Sequence, residues 1–149
     1  MGPITLFRRF ALAEVVTWTL LIAGMILKYG FDQPWATSIG GGIHGFVFLC
    51  YVVVIVFLAI DQKWKPVHTL AGLVSAVIPY ATIPFERWAL KQPIVTDPWR
   101  LREGGDTPKS PLEKLAAAVI ARPLTAAGIA LVVVIIVFIL LLFVGPPVG

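Results

Sequence analysis

Apolar residues fall into four long runs, Phe10–Leu27, Ser38–Ile60, Val67–Phe85 and Leu124–Val144, separated by polar segments. Each run approaches the about 20 predominantly apolar residues that a helix needs to cross a bilayer. The pattern therefore predicts an all-α polytopic membrane protein with four transmembrane helices. Residues 1–91 form a three-helix membrane core, residues 92–123 a polar loop plus an interfacial helix, and residues 124–149 the fourth span with a short tail.

The breaks carry turn chemistry. Pro34 and Trp35 end the turn after the first run, Trp being frequent at headgroup level. Pro66 suits the first turn of the third helix, and Pro79 with Pro84 predicts a kink in its second half. The stretch Gln92–Ser110 holds three prolines and two glycines without apolar periodicity and reads as irregular. Ser110-Pro-Leu-Glu113 then has the spacing of a capping box. Leu112, Leu115, Ala116 and Val119 share one face of the short amphipathic helix that follows, which is placed along the membrane interface before Pro123 opens the fourth span.

Composition agrees with this reading: of 149 residues, 58% are hydrophobic and 13% charged, against roughly 45–50% and about 25% in soluble domains. Arg8 and Arg9 precede the first run as in a signal peptide, but no small-x-small cleavage pattern follows, so the helix is expected to be retained. The single Cys50 excludes an internal disulfide. Net charge is +4, and the basic residues sit near span ends, where the partner is anionic lipid rather than nucleic acid. If the spans simply alternate, Lys28, Arg87, Lys91 and every later cation gather on the face opposite the N-terminus. That face then reads as cytoplasmic, although the Arg8-Arg9 pair argues the other way.

Alternation by depth also proposes sites. Lys28, His44, Glu86 and Arg87 fall at one level near the far face, a candidate anion or lipid-headgroup site. Glu14 lies inside the first span, where a carboxylate is expensive and implies a partner; His68 or the two arginines are at its depth. Gly41 and Gly45 have the four-residue spacing that lets helix backbones approach. Gly40–Gly42 leaves two readings of His44: a donor beside an anion-binding helix start, or a packed side chain bonded to a neighbouring helix or to Glu86. A bis-histidine haem fails unless a second subunit supplies one ligand, since the rise from His44 to Ile60 is about 24 Å and His68 lies beyond it. No nucleophile–base–acid set, phosphate loop or metal-binding carboxylate cluster is visible, so no enzymatic activity, metal or cofactor is expected.

Several short motifs together resemble the YdzA-like family of small bacterial integral membrane proteins. They are Ala13-Glu14, Leu27-Lys28-Tyr29, Gly42-Ile43-His44-Gly45 with Phe48 and Tyr51, and Pro79-Tyr80-x-Thr82-x-x-Phe85-Glu86-Arg87. The resemblance covers about residues 7–91 and implies a three-helix core in a bacterial plasma membrane, with no activity attached. The expectation is a small non-enzymatic membrane subunit that packs against a larger membrane complex in an accessory or stabilising role. The alternative is a lipid-headgroup or small-anion binding component of a transport system.

Overall fold

A computed structural model describes residues 2–144; the short tail expected after Val144 lies outside them. Among the described residues there are six helices and no strand. They are α1 (Pro3–Phe31), α2 (Pro34–Asp61), α3 (Pro66–Val77), α4 (Thr82–Lys91), α5 (Pro111–Ala121) and α6 (Pro123–Val144). Only α1, α2 and α6 are long and apolar enough to cross a membrane.

The first two helices begin earlier than the apolar runs suggest, because Pro3 and Pro34 each occupy the first turn, where a missing N–H costs nothing. A two-residue link joins them. Asp32 adopts the left-handed conformation at the end of α1 (φ 57°), and the Gln33 N–H donates back to the Leu27 carbonyl at 2.9 Å. The tight link forces α1 and α2 into an antiparallel pair. Their backbones meet at two glycines: a Cβ on Gly24 would lie 2.6 Å from the Ala36 carbonyl oxygen, and one on Gly40 would lie 2.8 Å from that of Leu20. The expected contact glycines are looser. Gly41 faces a Leu21 methyl and Gly45 the Phe138 ring of α6, each at an ordinary 3.7 Å. The glycine run is also well inside α2, so it does not leave open N–H groups at a helix start.

The third predicted span does not form. Ile78, preceding Pro79, is extended (φ −93°, ψ 127°) as an X-Pro residue requires, and α3 stops after 12 residues. That is about 18 Å of helix, against roughly 30 Å of hydrocarbon. Tyr80 takes a positive φ of 65°, a conformation costing about 1–2 kcal/mol for a residue with a Cβ. Its hydroxyl is held 2.9 Å from Thr19 Oγ1. The chain then reverses, and Pro84 falls in the first turn of α4.

Contacts with α1 fix the direction of that reversal. The Thr82 hydroxyl donates to the Ala11 carbonyl at 3.0 Å, Phe85 packs edge-on against Phe7 at 5.8 Å, and Arg8 pairs with Glu86 at 3.2 Å. Helices α3 and α4 therefore form a re-entrant hairpin whose tip reaches the level of Thr19 and whose two ends lie on the N-terminal side. Phe7, Trp64 and Phe85 lock it there, with ring centroids 5.8–6.5 Å apart. Such aromatic pairs contribute about 0.5–1.5 kcal/mol each beyond burial.

Because α4 doubles back, the segment after it stays on the N-terminal side. Asp61, at the end of α2, is fully buried there and accepts from the backbone N–H groups of Arg100 and Leu101 at 3.1 and 3.0 Å. The Arg100 guanidinium caps the last carbonyls of α2, those of Ile60 and Asp61. A cation at a helix C-terminus offsets both the orphan carbonyls and the helix dipole. The amphipathic helix forms as α5, capped by Ser110, whose hydroxyl accepts from the Glu113 N–H at 3.1 Å. Helix α6 then crosses to the far side, where Phe138 meets Phe46 edge-on at 6.0 Å. Every lysine and arginine except Lys28 thus belongs to the N-terminal end of the bundle. The conflict between the Arg8-Arg9 pair and the long loop disappears, because both lie on one face.

Two measurements check this arrangement. In a Cys50→Ser background, Gly30→Cys and Gln92→Cys are expected to react with impermeant maleimide from opposite compartments; labelling from the same compartment restores the four-span topology. Gly40→Ala should lower stability by about 1–3 kcal/mol through overpacking. Gly42→Ala, with open space around it, should be neutral or stabilising by up to about 1 kcal/mol; equal effects in steric-trap unfolding contradict the close backbone contact.

Candidate functional site

The register set by Gly24 and Gly40 continues three residues further and brings α1 and α2 together through polar side chains. Glu14, eleven residues into α1, is fully buried. At about 1.5 Å per residue it lies some 16 Å along the helix, deep in the span. Facing it on α2 is His44, whose Nδ1 is 3.7 Å from Glu14 Oε2. The same nitrogen lies 3.0 Å from Thr17 Oγ1, and the Thr17 hydroxyl also sits 3.2 Å from the Glu14 backbone carbonyl oxygen, to which it can donate. Trp18 lies against the imidazole, with ring centroids 4.2 Å apart.

The site is under-satisfied. Among the described residues, the buried side-chain polar atoms without a hydrogen-bond partner are both carboxylate oxygens of Glu14 and the indole nitrogen of Trp18. Buried polar groups are nearly always bonded, and each exception calls for an explanation. Here two acceptors and one donor are orphaned beside one imidazole.

A second polar contact lies one to two turns closer to the N-terminal face. The fully buried Tyr51 hydroxyl is 3.0 Å from Ser75 Oγ of α3, and Ser75 donates in turn to the Gly72 carbonyl at 2.6 Å. The Arg8–Glu86 pair follows at the mouth of the bundle. Polar side chains therefore descend from the surface to the deepest carboxylate, between α1, α2 and the hairpin.

The expected four-residue cluster does not assemble. Lys28 stays at the far end of α1 with its ammonium 5.2 Å from the Tyr29 ring centre, His44 joins Glu14, and Glu86 joins Arg8. Arg87 is exposed on the N-terminal side. The cause is the hairpin: equal depth for these residues required a third helix that crosses. His68 likewise packs edge-on against Trp88, at 5.4 Å between centroids, rather than meeting Glu14. Glu14 remains the buried intramembrane carboxylate, with His44 as its partner. Thr17 and Trp18 also belong to the site; their only sequence signal is their i+3 and i+4 spacing from Glu14.

At the N-terminal face, Arg100 is the centre of a charged knot. It donates to Glu113 Oε2 at 2.6 Å and to Asp106 Oδ2 at 3.3 Å. Burial opposes the charge of Arg100, but the bonds to Glu113 and Asp106 raise its pKa overall. The Arg100 hydrogen bond, followed by the Lys109 backbone N–H, holds the Glu113 carboxyl below the usual carboxylate range. Among the described residues no group of three or more His, Cys, Asp or Glu side chains is arranged to hold a metal ion.

Long apolar helices, a re-entrant hairpin and a buried carboxylate–imidazole centre define a small helical membrane protein. Its residues 4–91, which are α1 to α4, match the domain of unknown function DUF3817, and the chain belongs to that family. It is similar to the putative membrane protein SCO5905 of Streptomyces coelicolor, with 42% identity over 96 residues, 59% of this chain and 11% of that protein. It is also similar to the uncharacterized membrane protein YdzA of Bacillus subtilis, with 32% identity over 68 residues, 46% of this chain and 71% of the relative. The chain thus spans about a tenth of the Streptomyces relative. No solved structure matches it.

The knot carries a pH dependence. Because the folded Glu113 carboxyl is held below its ordinary range, its stabilising contribution is complete above the unfolded value near about 4.3 and is lost as pH falls through the lower folded value. Hydrogen exchange at the Arg100 and Leu101 amides, corrected for intrinsic rates, should rise on acidification below about pH 4. Glu113→Gln should raise it already at neutral pH, and unchanged exchange in both experiments removes this role for the knot.

Proposed function

We propose that the chain is a small non-enzymatic subunit of a bacterial plasma membrane that packs laterally against a larger integral membrane protein. In this reading the cation-rich N-terminal end faces the cytoplasm, following the bias of Lys and Arg toward that side. The carrying observation is the difference in size of the relatives. The segment shared with this chain is 11% of the Streptomyces membrane protein and 71% of the Bacillus one. A unit that is covalently part of a larger membrane protein in one relative and makes up most of the chain in another supports side-by-side association as its use.

The present chain adds α6 beyond the family region. Among its described residues only Val134 is buried against the rest of the protein, and another inner contact is Phe138 against Phe46. Its outer face is the surface offered to another transmembrane chain. Membrane lipids hold the opposite requirement, charge: juxtamembrane Lys and Arg gain about 1 kcal/mol each near an anionic surface.

The headgroup-binding alternative moves to other residues. A cavity of about 380 Å³ at the N-terminal face is lined by Lys63, Lys65, His68 and Arg100 together with Trp64 and Thr96, and its charge suits a phosphate. Lys28, His44 and Arg87 are too dispersed to form such a site together.

Photo-cross-linking in native membranes tests the docking reading. A photoreactive residue carried in turn at each position from Leu131 to Leu142 should yield one heavier protein adduct, with yields repeating every three to four positions. Adducts only to lipid, or yields with no helical period, count against a docked partner.

A further inference from the structure

We propose that Glu14 and His44 form an intramembrane proton-binding site in which the Thr17 hydroxyl determines which group carries the proton. The inference stands apart from the docking reading, since it concerns the interior of the α1–α4 unit and needs no partner chain.

A purely structural ion pair would be closed by hydrogen bonds, because an ionised carboxylate without them costs several kcal/mol to bury. Here the Glu14 to His44 separation of 3.7 Å exceeds the 2.7–3.2 Å or so of a hydrogen bond, and neither carboxylate oxygen has another partner. The atom bonded at 3.0 Å is Thr17 Oγ1, which has a single proton and two acceptors within reach, the Glu14 carbonyl and His44 Nδ1. The two assignments exclude each other. When Thr17 donates to the Glu14 carbonyl, its oxygen can only accept from His44, so Nδ1 carries a proton directed at Thr17 and the nearby carboxylate. When Thr17 donates to Nδ1, that nitrogen is bare, and the unbonded Glu14 carboxyl holds the proton as a neutral acid.

With Nε2 protonated throughout, the hydroxyl rotation accompanies the exchange between carboxylate beside imidazolium and carboxylic acid beside imidazole. As the proton moves from Oε2 to Nδ1, an O–H bond breaks and an N–H bond forms, and the Thr17 hydroxyl exchanges its acceptor from Nδ1 to the Glu14 carbonyl. A second proton, taken from water at either aqueous face, converts the ion pair into carboxylic acid beside imidazolium. Trp18 favours the charged imidazole through its ring face. The other titratable groups in electrostatic range of the centre are Tyr51 of α2, which feels both Glu14 and Glu86, and Glu86 of α4, already paired with Arg8. His68 of α3 is occupied with Trp88.

The chain has only two histidines, so histidine-selective nitrogen-15 solid-state NMR of the full protein in liposomes reads the site directly, with His68→Gln assigning the signals. His44 is expected to change protonation between about pH 4 and 9. In Glu14→Gln the imidazolium loses its anionic neighbour, and the His44 midpoint should fall by about one pH unit or more, a tenfold or larger loss of proton affinity. Thr17→Val should change the ratio of the two neutral imidazole tautomers while His68 stays unmoved. The wild-type chain supplies a check that needs no folded variant: infrared difference spectra across the same range should show a deuterium-sensitive protonated-carboxyl band changing in step with His44. A His44 midpoint identical in wild type and Glu14→Gln, or a His44 that does not titrate in the wild type, overturns the proposal.

Discussion

Where Gly24 meets Ala36 and Gly40 meets Leu20, two membrane helices run with their backbones in contact. No residue with a Cβ fits at either point without displacing main chain, so the α1–α2 register cannot slide. That register places Thr17 and Glu14 opposite His44. It also leaves the other side of α1 free to receive Thr82 and Phe85. In water such a contact would draw on the hydrophobic effect. Between helices in lipid it relies on close packing, which is why small residues sit at the crossing and the exposed faces are large and aliphatic.

The re-entrant hairpin follows from a different constraint. Twelve residues of helix and a proline break cannot cross a bilayer, and main-chain polar groups left there need protein partners. Within the reversal the Ala81 and Ile83 N–H groups donate to the Ile78 and Tyr80 carbonyls at 3.1 and 3.4 Å, and the Tyr80 and Thr82 hydroxyls anchor it to Thr19 and the Ala11 carbonyl of α1. With both ends on one face, Trp64, Ile94, Asp61 and Arg100 can be knotted together: the Trp64 indole donates to the Ile94 carbonyl at 2.7 Å, and Arg100 closes the end of α2. The loop that reads as irregular is thus an ordered plug, held by buried Val95 and Leu101 as well as by charge.

Much of this was legible in the amino acids. The apolar runs of α1, α2 and α6 are long because lipid demands length, and Ser110 announces α5 because it has the reach to cap it. Glu14 stood out through the cost of its depth. Its partner did not, since finding His44 required helices that start at Pro3 and Pro34 rather than at the first apolar residues. Pro79 and Pro84 were visible as a disturbance, but a kink and a reversal differ by the sign of φ at Tyr80, and residue identity does not specify that sign for a tyrosine. The one trace of the loop's destination is Asp61, an acid at a helix C-terminus, which runs against the helix dipole unless a cation covers it.

The half-length hairpin also makes the molecule unequal across the bilayer's thickness. On the N-terminal side α1, α2, α3, α4 and α6 share the membrane plane, whereas beyond the tip at Tyr80 only α1, α2 and α6 continue. With helices about 10 Å across, the protein is a wedge, broad in one leaflet and narrow in the other. Acyl chains of the far leaflet must fill the ground above the tip, so the protein takes up more area from one monolayer than from its opposite.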